Sequence, residues 1–190
     1  KLLMRKYAFR ILIAVLAVST ALLLAACGED KELGVPEGCV EISADNVGYD
    51  FYMLKGWTSD VESGMTSAYY NDFDTSNVSV MGFDAGDASD AESAWEAALA
   101  DIESIFTDVA FEEKATDSTL GNRPAKKYIY TAKLGDREFK FMQLVVFTPN
   151  NGVFTSMPEI YIFTYTAESS LYDRHIEDVI FMADSMVFEK

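Results

Sequence analysis

His175 is the only histidine in this chain of 190 residues. Histidine is the side chain that most often acts as a general acid or base in catalysis. A catalytic triad would require a serine nucleophile and a carboxylate beside it in space, and the sequence contains no nucleophile-elbow motif. We therefore interpret His175 as a surface residue of a helix. A Ser or Asp within hydrogen-bonding reach of it would instead favour a hydrolase.

Acidic residues are concentrated before the first predicted helix, namely Asp84, Asp87, Asp90 and Glu92. Oxygen ligands in a flexible loop can bind Ca²⁺, but this spacing is not that of an EF-hand loop. The helix dipole also favours carboxylates at a helix start. We interpret the segment as a helix start and keep calcium binding as the alternative. Other acids near turns are interpreted as solvated surface: Asp60, Glu62, Asp72 and Asp74.

Basic residues are concentrated within 18 positions of the second half of the chain. They are Arg123, Lys126, Lys127, Lys133, Arg137 and Lys140. A hairpin would gather them on one edge, as a positive patch on a negative body. The patch is a candidate docking site for an acidic partner or a polyanion. The alternative is that these charges protect an edge strand from pairing with another sheet.

Cys27 ends a hydrophobic run and follows Leu24-Ala25-Ala26. Four basic residues precede the 14-residue apolar run at 11–24, which is the length of a signal-peptide core and short for a membrane span. The ending resembles the lipobox of bacterial prolipoproteins, which implies cleavage before Cys27 and a diacylglyceryl group on its sulfur. The alternative is an uncleaved anchor helix. We predict a signal peptide at 1–26, a lipidated tether at 27–38 and a single domain at 39–190.

The predicted location is the extracytoplasmic face of a membrane. Two acyl chains hold a protein stably at a bilayer, whereas one chain holds it only marginally. Gly28 follows Cys27, so the acidic residue that can retain lipoproteins in the inner membrane of Gram-negative cells is absent. The outer membrane, or the outer face of a single membrane, is the expected destination.

Charge and cysteine content exclude two classes of function. Removal of residues 1–26 takes away four of the 15 basic residues and none of the 31 acidic ones, which leaves a formal charge of −20. Such acidity repels phosphate backbones and argues against nucleic-acid binding. With Cys27 lipidated, Cys39 is the remaining cysteine, so a two-cysteine metal site is excluded. Cys39 is interpreted as a buried free thiol, and an exposed thiol that pairs between molecules is the alternative.

Apolar periodicity predicts strands at 39–43, 49–54, 65–70, 77–83, 109–116, 125–132, 138–148, 159–166 and 186–188. Helices are predicted at 90–106, with Ser89 and Glu92 as a capping box, and at 171–183, with Ser169 or Ser170 as the cap. Turns are predicted at Gly135-Asp136 and at 149–152. Strands joined by tight turns, together with two amphipathic helices, predict an α+β fold in which helices flank an antiparallel sheet.

Aromatic residues alternate along several of these strands, and they could either line a ligand pocket or pack beneath the helices. We favour core packing. The residues are Trp57, Trp95, Tyr49, Tyr52, Tyr69, Tyr70, Tyr128, Tyr130, Tyr161 and Tyr165.

Three stretches carry a family resemblance. Residues 48–57 combine Gly48, paired aromatics and Gly56-Trp57, with Leu54 where proline is frequent; residues 121–125 precede Tyr128; and residues 161–167 precede Tyr172 and 185–188. Together they resemble the PsbP-like family, which includes photosystem II extrinsic proteins and many bacterial lipoproteins. The resemblance implies an α/β/α sandwich over roughly 39–190. Its motifs are turn glycines and core aromatics, so it implies no catalytic residue, and it favours binding and assembly roles.

The sequence therefore predicts a membrane-anchored envelope lipoprotein that acts as a non-enzymatic binding or scaffold module, with no cofactor and no metal. Its predicted partners are the membrane, through Cys27, and another envelope protein or polyanion. A small-ligand or calcium-binding lipoprotein is one alternative. A hydrolase with an unrecognised active site is the other.

Overall fold

The computed structural model describes residues 34–43, 47–62, 65–148 and 160–188. The strands are β1 (Cys39–Glu41), β2 (Tyr49–Asp50), β3 (Tyr52–Leu54), β4 (Thr58–Glu62), β5 (Met65–Tyr69), β6 (Asn77–Phe83), β7 (Thr107–Leu120), β8 (Arg123–Leu134), β9 (Arg137–Phe147), β10 (Ile160–Glu168) and β11 (Val187–Phe188). The helices are α1 (Ala91–Ile105) and α2 (Ile176–Asp184), with a 3₁₀ turn at Tyr172–Arg174 before α2.

Seven strands form one antiparallel sheet in the order β4-β5-β6-β10-β9-β8-β7. Two antiparallel ribbons, β1–β3 and β2–β11, accompany it. The predicted α+β fold, an antiparallel sheet with helices, is confirmed. Among the residues that the structure describes, no helix is long and apolar enough to cross a membrane.

Two apolar clusters cover opposite faces of the sheet. On one face, Trp95 of α1 stacks on Tyr128 with 3.9 Å between ring centroids, and its indole N–H donates to Gln143 Oε1 at 2.7 Å. The other face packs against α2 through Val179 and Met182. Because β9 is covered on both faces, most of it is buried, which explains why it reads as an almost continuous apolar run.

The aromatic residues are mainly core residues, as predicted. Eight of the ten residues named in the sequence analysis are less than 9% exposed, and Tyr69 and Tyr70 are half-buried. Cys39 is also buried and free, and burial raises the pKa of its thiol. The core-packing interpretation of the aromatics and the buried-thiol interpretation of Cys39 are confirmed.

Helix α1 begins one residue later than the predicted capping box requires. Asp90 is the N-cap: its carboxylate accepts from the Ser93 N–H at 2.8 Å, while Ser93 Oγ accepts from the Asp90 N–H at 3.2 Å. The predicted Ser89–Glu92 box is therefore wrong. Glu92 instead reaches Lys126 on the sheet, at 3.0 Å. Ser89 and Glu92 are three residues apart, and so are Asp90 and Ser93. The second pair forms the cap.

The second helix is shorter than predicted. A 3₁₀ turn occupies Tyr172–Arg174, His175 is the N-cap of α2, and no side chain caps this end. The predicted start at 171 and the predicted serine cap are wrong. Strand β4 is not among the predicted strands because its sequence, Thr-Ser-Asp-Val-Glu, has too few apolar residues to show alternation. The predicted turn at 149–152 lies outside the described residues, whereas the turn at Gly135-Asp136 is confirmed.

Gly121, between β7 and β8, ties this hairpin to the end of α2. Its φ is +54°, in the left-handed region that favours glycine. Its N–H donates to the Ala183 carbonyl at 2.9 Å. A Cβ at this position would overlap the backbone carbonyl of Met186, so glycine is required here by both conformation and space.

Candidate functional site

Asp74 and His175 form a buried pair where the β5–β6 loop meets the start of α2. His175 Nε2 lies 2.9 Å from Asp74 Oδ2, and Arg174 Nη1 donates to the same oxygen at 3.2 Å. On the other side of the carboxylate, the Ser76 hydroxyl and N–H donate to Oδ1 at 2.6 and 3.1 Å. We call Asp74, Ser76, Arg174 and His175 the Asp74 cluster.

The cluster is buried except for the side chain of Arg174. Asp74 is 5% exposed and His175 is 4% exposed. The imidazole packs against two aromatic rings, with 5.7 Å between centroids to Trp57 and 4.1 Å to Tyr70. The interpretations of His175 and Asp74 as surface residues are wrong. His175 precedes the first turn of α2, and its partner is 101 residues away, so no local sequence pattern reveals the pair.

Hydrogen bonding keeps Asp74 ionised. Burial acts to raise the pKa of this carboxyl, but the hydrogen bonds from Ser76 and His175 outweigh burial and hold the pKa below its ordinary value of 3.8. A buried carboxylate that accepts several hydrogen bonds is stabilised in its charged form. The carboxylate therefore joins the β5–β6 loop to the start of α2.

The geometry of the cluster differs from that of a hydrolase triad. A carboxylate does lie within hydrogen-bonding reach of His175, which was the sequence criterion for a hydrolase. In a triad, however, the histidine lies between the carboxylate and the serine, so that it can take the serine proton. Here Asp74 lies in the middle, and the Ser76 hydroxyl donates to the carboxylate. The arrangement positions chain segments and does not activate Ser76.

The cluster supports a loop that exposes an aromatic side chain. Residues 70–76, the Phe73 loop, are closed at their base by a hydrogen bond from the Tyr70 N–H to the Ser76 carbonyl at 2.9 Å. Asn71 Oδ1 accepts from the N–H groups of Phe73 and Asp74 at 2.9 and 3.0 Å. Phe73 itself is 100% exposed. A single exposed apolar residue is ordinary, but this one sits on a loop fixed by hydrogen bonds on both sides.

The six basic residues do not lie together on an edge. Strands β8 and β9 are inside the sheet, and β7 is the edge strand next to them, so the predicted edge position is wrong, both for a patch and for edge protection. Lys126 lies on the α1 side with Glu92, whereas Lys127 pairs in register with Leu144 of the α2-side cluster. Neighbouring residues of a strand point to opposite faces, and the six are divided accordingly.

Acidic neighbours pair with five of these basic side chains. Lys126 lies 2.9 Å from Asp117, Lys127 lies 3.0 Å from Glu113, Lys133 lies 2.9 Å from Asp108, Lys140 lies 2.7 Å from Glu112, and Arg137 pairs with Glu168. Lys140 also lies 4.6 Å from the centre of the Tyr172 ring. The basic residues therefore balance the acids of β7 and its neighbours.

Reversing four of these lysines tests that balance. We expect the quadruple variant Lys126→Glu, Lys127→Glu, Lys133→Glu and Lys140→Glu to have a lower unfolding free energy than the wild type, because each attractive pair becomes a repulsive one. Urea titration at low and high salt measures it, and the loss should shrink at high salt. The matched variant with four Lys→Gln changes should lose less. Unchanged stability of the Glu variant would contradict this account.

The acidic segment at residues 84–92 acts mainly at the start of α1. Asp90 caps the helix, and hydrogen bonds from the Ser93 backbone and side chain lower the pKa of its carboxyl. Glu92 pairs with Lys126. Within the described ranges, no group of three or more His, Cys, Asp or Glu residues is arranged to hold a metal ion. Cys27 lies outside the described residues, so its lipidation remains a prediction.

Solved bacterial structures share the fold. No family model matches the chain, and no curated protein matches it. PA94, a Pseudomonas aeruginosa protein of unknown function, is 11% identical with a TM-score of 0.52, and the match covers 80% of this chain and 98% of PA94. A crystal structure from Bacteroides thetaiotaomicron VPI-5482 is 14% identical with a TM-score of 0.51, over 79% of this chain and 48% of that one. The chain therefore spans about half the length of the Bacteroides protein.

A third match is the solution structure of cyanobacterial PsbP from Synechocystis sp. PCC 6803. It is 14% identical with a TM-score of 0.49, and the match covers 85% of this chain and 98% of the PsbP.

Proposed function

We propose that this protein is a lipid-anchored envelope protein whose domain acts as a non-enzymatic binding module. The sequence ahead of the domain supports the anchor, since Cys27 follows a signal-like apolar run and a lipobox-like ending. A diacylated cysteine would hold the domain at the membrane through two chains. The basic residues of β8 and β9 are a further proposed contact for an acidic partner, with Lys127, Lys133 and Lys140 on one face.

One observation carries the binding role. The only histidine of the chain is buried and hydrogen-bonded to Asp74. The Asp74 cluster, to which it belongs, supports the loop that presents Phe73 to solvent. The side chain best suited to acid–base chemistry thus serves structure. What it supports is an exposed aromatic side chain on a fixed loop, and aromatic residues are enriched in the cores of interfaces.

The lipid anchor is tested by substitution of Cys27. We expect Cys27→Ser to abolish incorporation of a clickable fatty acid and to leave the precursor uncleaved, because the serine cannot form the thioether that precedes cleavage. Metabolic labelling followed by gel analysis measures both effects. Cys39→Ser is the matched control, since that thiol is buried, and it should keep the label. Undiminished label in the Cys27→Ser protein would contradict the anchor.

A further inference from the structure

We propose that Phe73 contacts the membrane to which the chain is tethered, so that the Phe73 loop faces the bilayer. The inference rests on the proposed lipid anchor at Cys27. It concerns the orientation of the domain and names the lipid surface as the partner of Phe73.

The tether enters the domain at the end where the Phe73 loop lies. The Lys55 N–H donates to the carbonyl of Gly38, the last tether residue, at 2.8 Å, and Lys55 forms a bridge with Trp57. The Trp57 ring lies 5.7 Å from the ring of Tyr70, the first residue of the loop. Thr58, which follows Trp57, pairs with Tyr69. The chain therefore enters beside the base of the loop.

The length of the tether keeps this end close to the lipid. Eleven residues separate Cys27 from Cys39, and they span at most about 36–40 Å when fully extended. A domain held this closely meets the membrane at a high effective concentration, so a weak apolar contact is enough to orient it. Val35, in the same entry segment, is 37% exposed and adds apolar surface.

The charges near Phe73 indicate which lipid headgroups the loop can contact. Asp72 precedes Phe73, and the guanidinium of Arg174, whose side chain is 59% exposed, lies 3.2 Å from Asp74. The mature chain as a whole has a predicted formal charge of −20, which anionic headgroups repel. The contact therefore fits a zwitterionic surface, where insertion of an aromatic ring does not require a positive patch.

The experiment uses the full processed lipoprotein in phosphatidylcholine vesicles. Phe73→Trp places an indole fluorophore at the loop tip. The native Trp57 and Trp95 are 6% and 0% exposed, and their emission is measured in the wild-type protein with the same vesicles and subtracted. With brominated phosphatidylcholine, we expect the emission contributed by the indole at position 73 to be largely quenched. Phe181→Trp is the matched control, because Phe181 is 41% exposed on α2, and the indole placed there should not be quenched.

The outcomes of this experiment distinguish a failure of the membrane contact at Phe73 from a failure of the lipid anchor at Cys27. Protein that floats with the vesicles while the indole at position 73 stays unquenched would overturn the membrane contact and leave the anchor standing. Protein that does not float would overturn the anchor and, with it, this inference. Equal quenching in the Phe73→Trp and Phe181→Trp proteins would also overturn a contact specific to the loop. A photo-crosslinking residue at position 73 that captures protein rather than lipid in cells would overturn the lipid contact and assign Phe73 to a protein partner.

Discussion

Asp74→Ala is expected to lower the free energy of unfolding by about 3 kcal/mol, because removal of the carboxylate leaves buried donors without an acceptor. The carboxylate accepts hydrogen bonds from Ser76, Arg174 and His175. Breaking a buried charged pair costs about 3–5 kcal/mol. We place this change at the lower end because the Arg174 side chain is largely exposed and can return to water. Urea unfolding followed by circular dichroism measures the loss.

Asp117→Ala is the matched control for Asp74→Ala. Asp117 also pairs with a basic side chain, Lys126, but its own side chain is 93% exposed. An exposed ion pair contributes about 0–1 kcal/mol, so this variant should unfold almost like the wild type. Equal losses in the two variants, or no loss for Asp74→Ala, would show that the cluster does not stabilise the fold.

The same carboxylate makes stability depend on pH. Because the pKa of Asp74 in the folded protein lies below its ordinary value of 3.8, the stabilisation is fully present above the unfolded pKa. It is lost as the pH falls through the lower, folded value. Unfolding free energy should therefore decline as the pH drops below about 4–5. The decline should be shallower in Asp74→Ala, and parallel curves for variant and wild type would contradict this origin.

Gly121→Ala is expected to destabilise the protein by about 3 kcal/mol, since it combines a conformational cost with a steric one. Alanine in the left-handed region costs about 1–2 kcal/mol, and overpacking against a fixed neighbour costs about 1–3 kcal/mol more. The neighbour is the backbone carbonyl of Met186, which cannot turn aside as a side chain would. The loss should appear in urea unfolding as a lower midpoint with an unchanged slope.

Gly135→Ala is the control that measures the conformational cost without the steric cost. Gly135 has a φ of +62°, close to that of Gly121, but a Cβ there would meet nothing within 4 Å. This variant should lose only the conformational part, about 1–2 kcal/mol. If both variants lose the same amount, the contact between the β7–β8 turn and Met186 contributes nothing.

Helices and strands can be predicted from the sequence where the spacing of their own apolar residues determines them. Strand β6 has the predicted bounds, 77–83, because valines alternate along it. The apolar stripe of α1 is readable from Trp95 and Ile102, both of which are buried. Strand β4 cannot be predicted in this way, since a polar edge strand owes its conformation to pairing with β5.

The site is less predictable than the fold because its parts are distant in sequence. Nothing near His175 indicates that Asp74 will face it, and no motif spacing describes a pair 101 residues apart. The predicted edge position of the basic residues is wrong for a different reason. Counting charges along the chain ignores that Lys126 and Lys127 point to opposite faces of a strand. The acids that pair with them lie on the neighbouring strand β7.

The β2–β11 ribbon sets the order in which the fold can close during synthesis. Residues of β2, such as Asp50, pair with β11 residues such as Val187, so almost the whole domain must be made before this pair can form. A contact between such distant positions closes a long loop and slows folding. A nascent chain therefore cannot complete this ribbon until its last strand has been made.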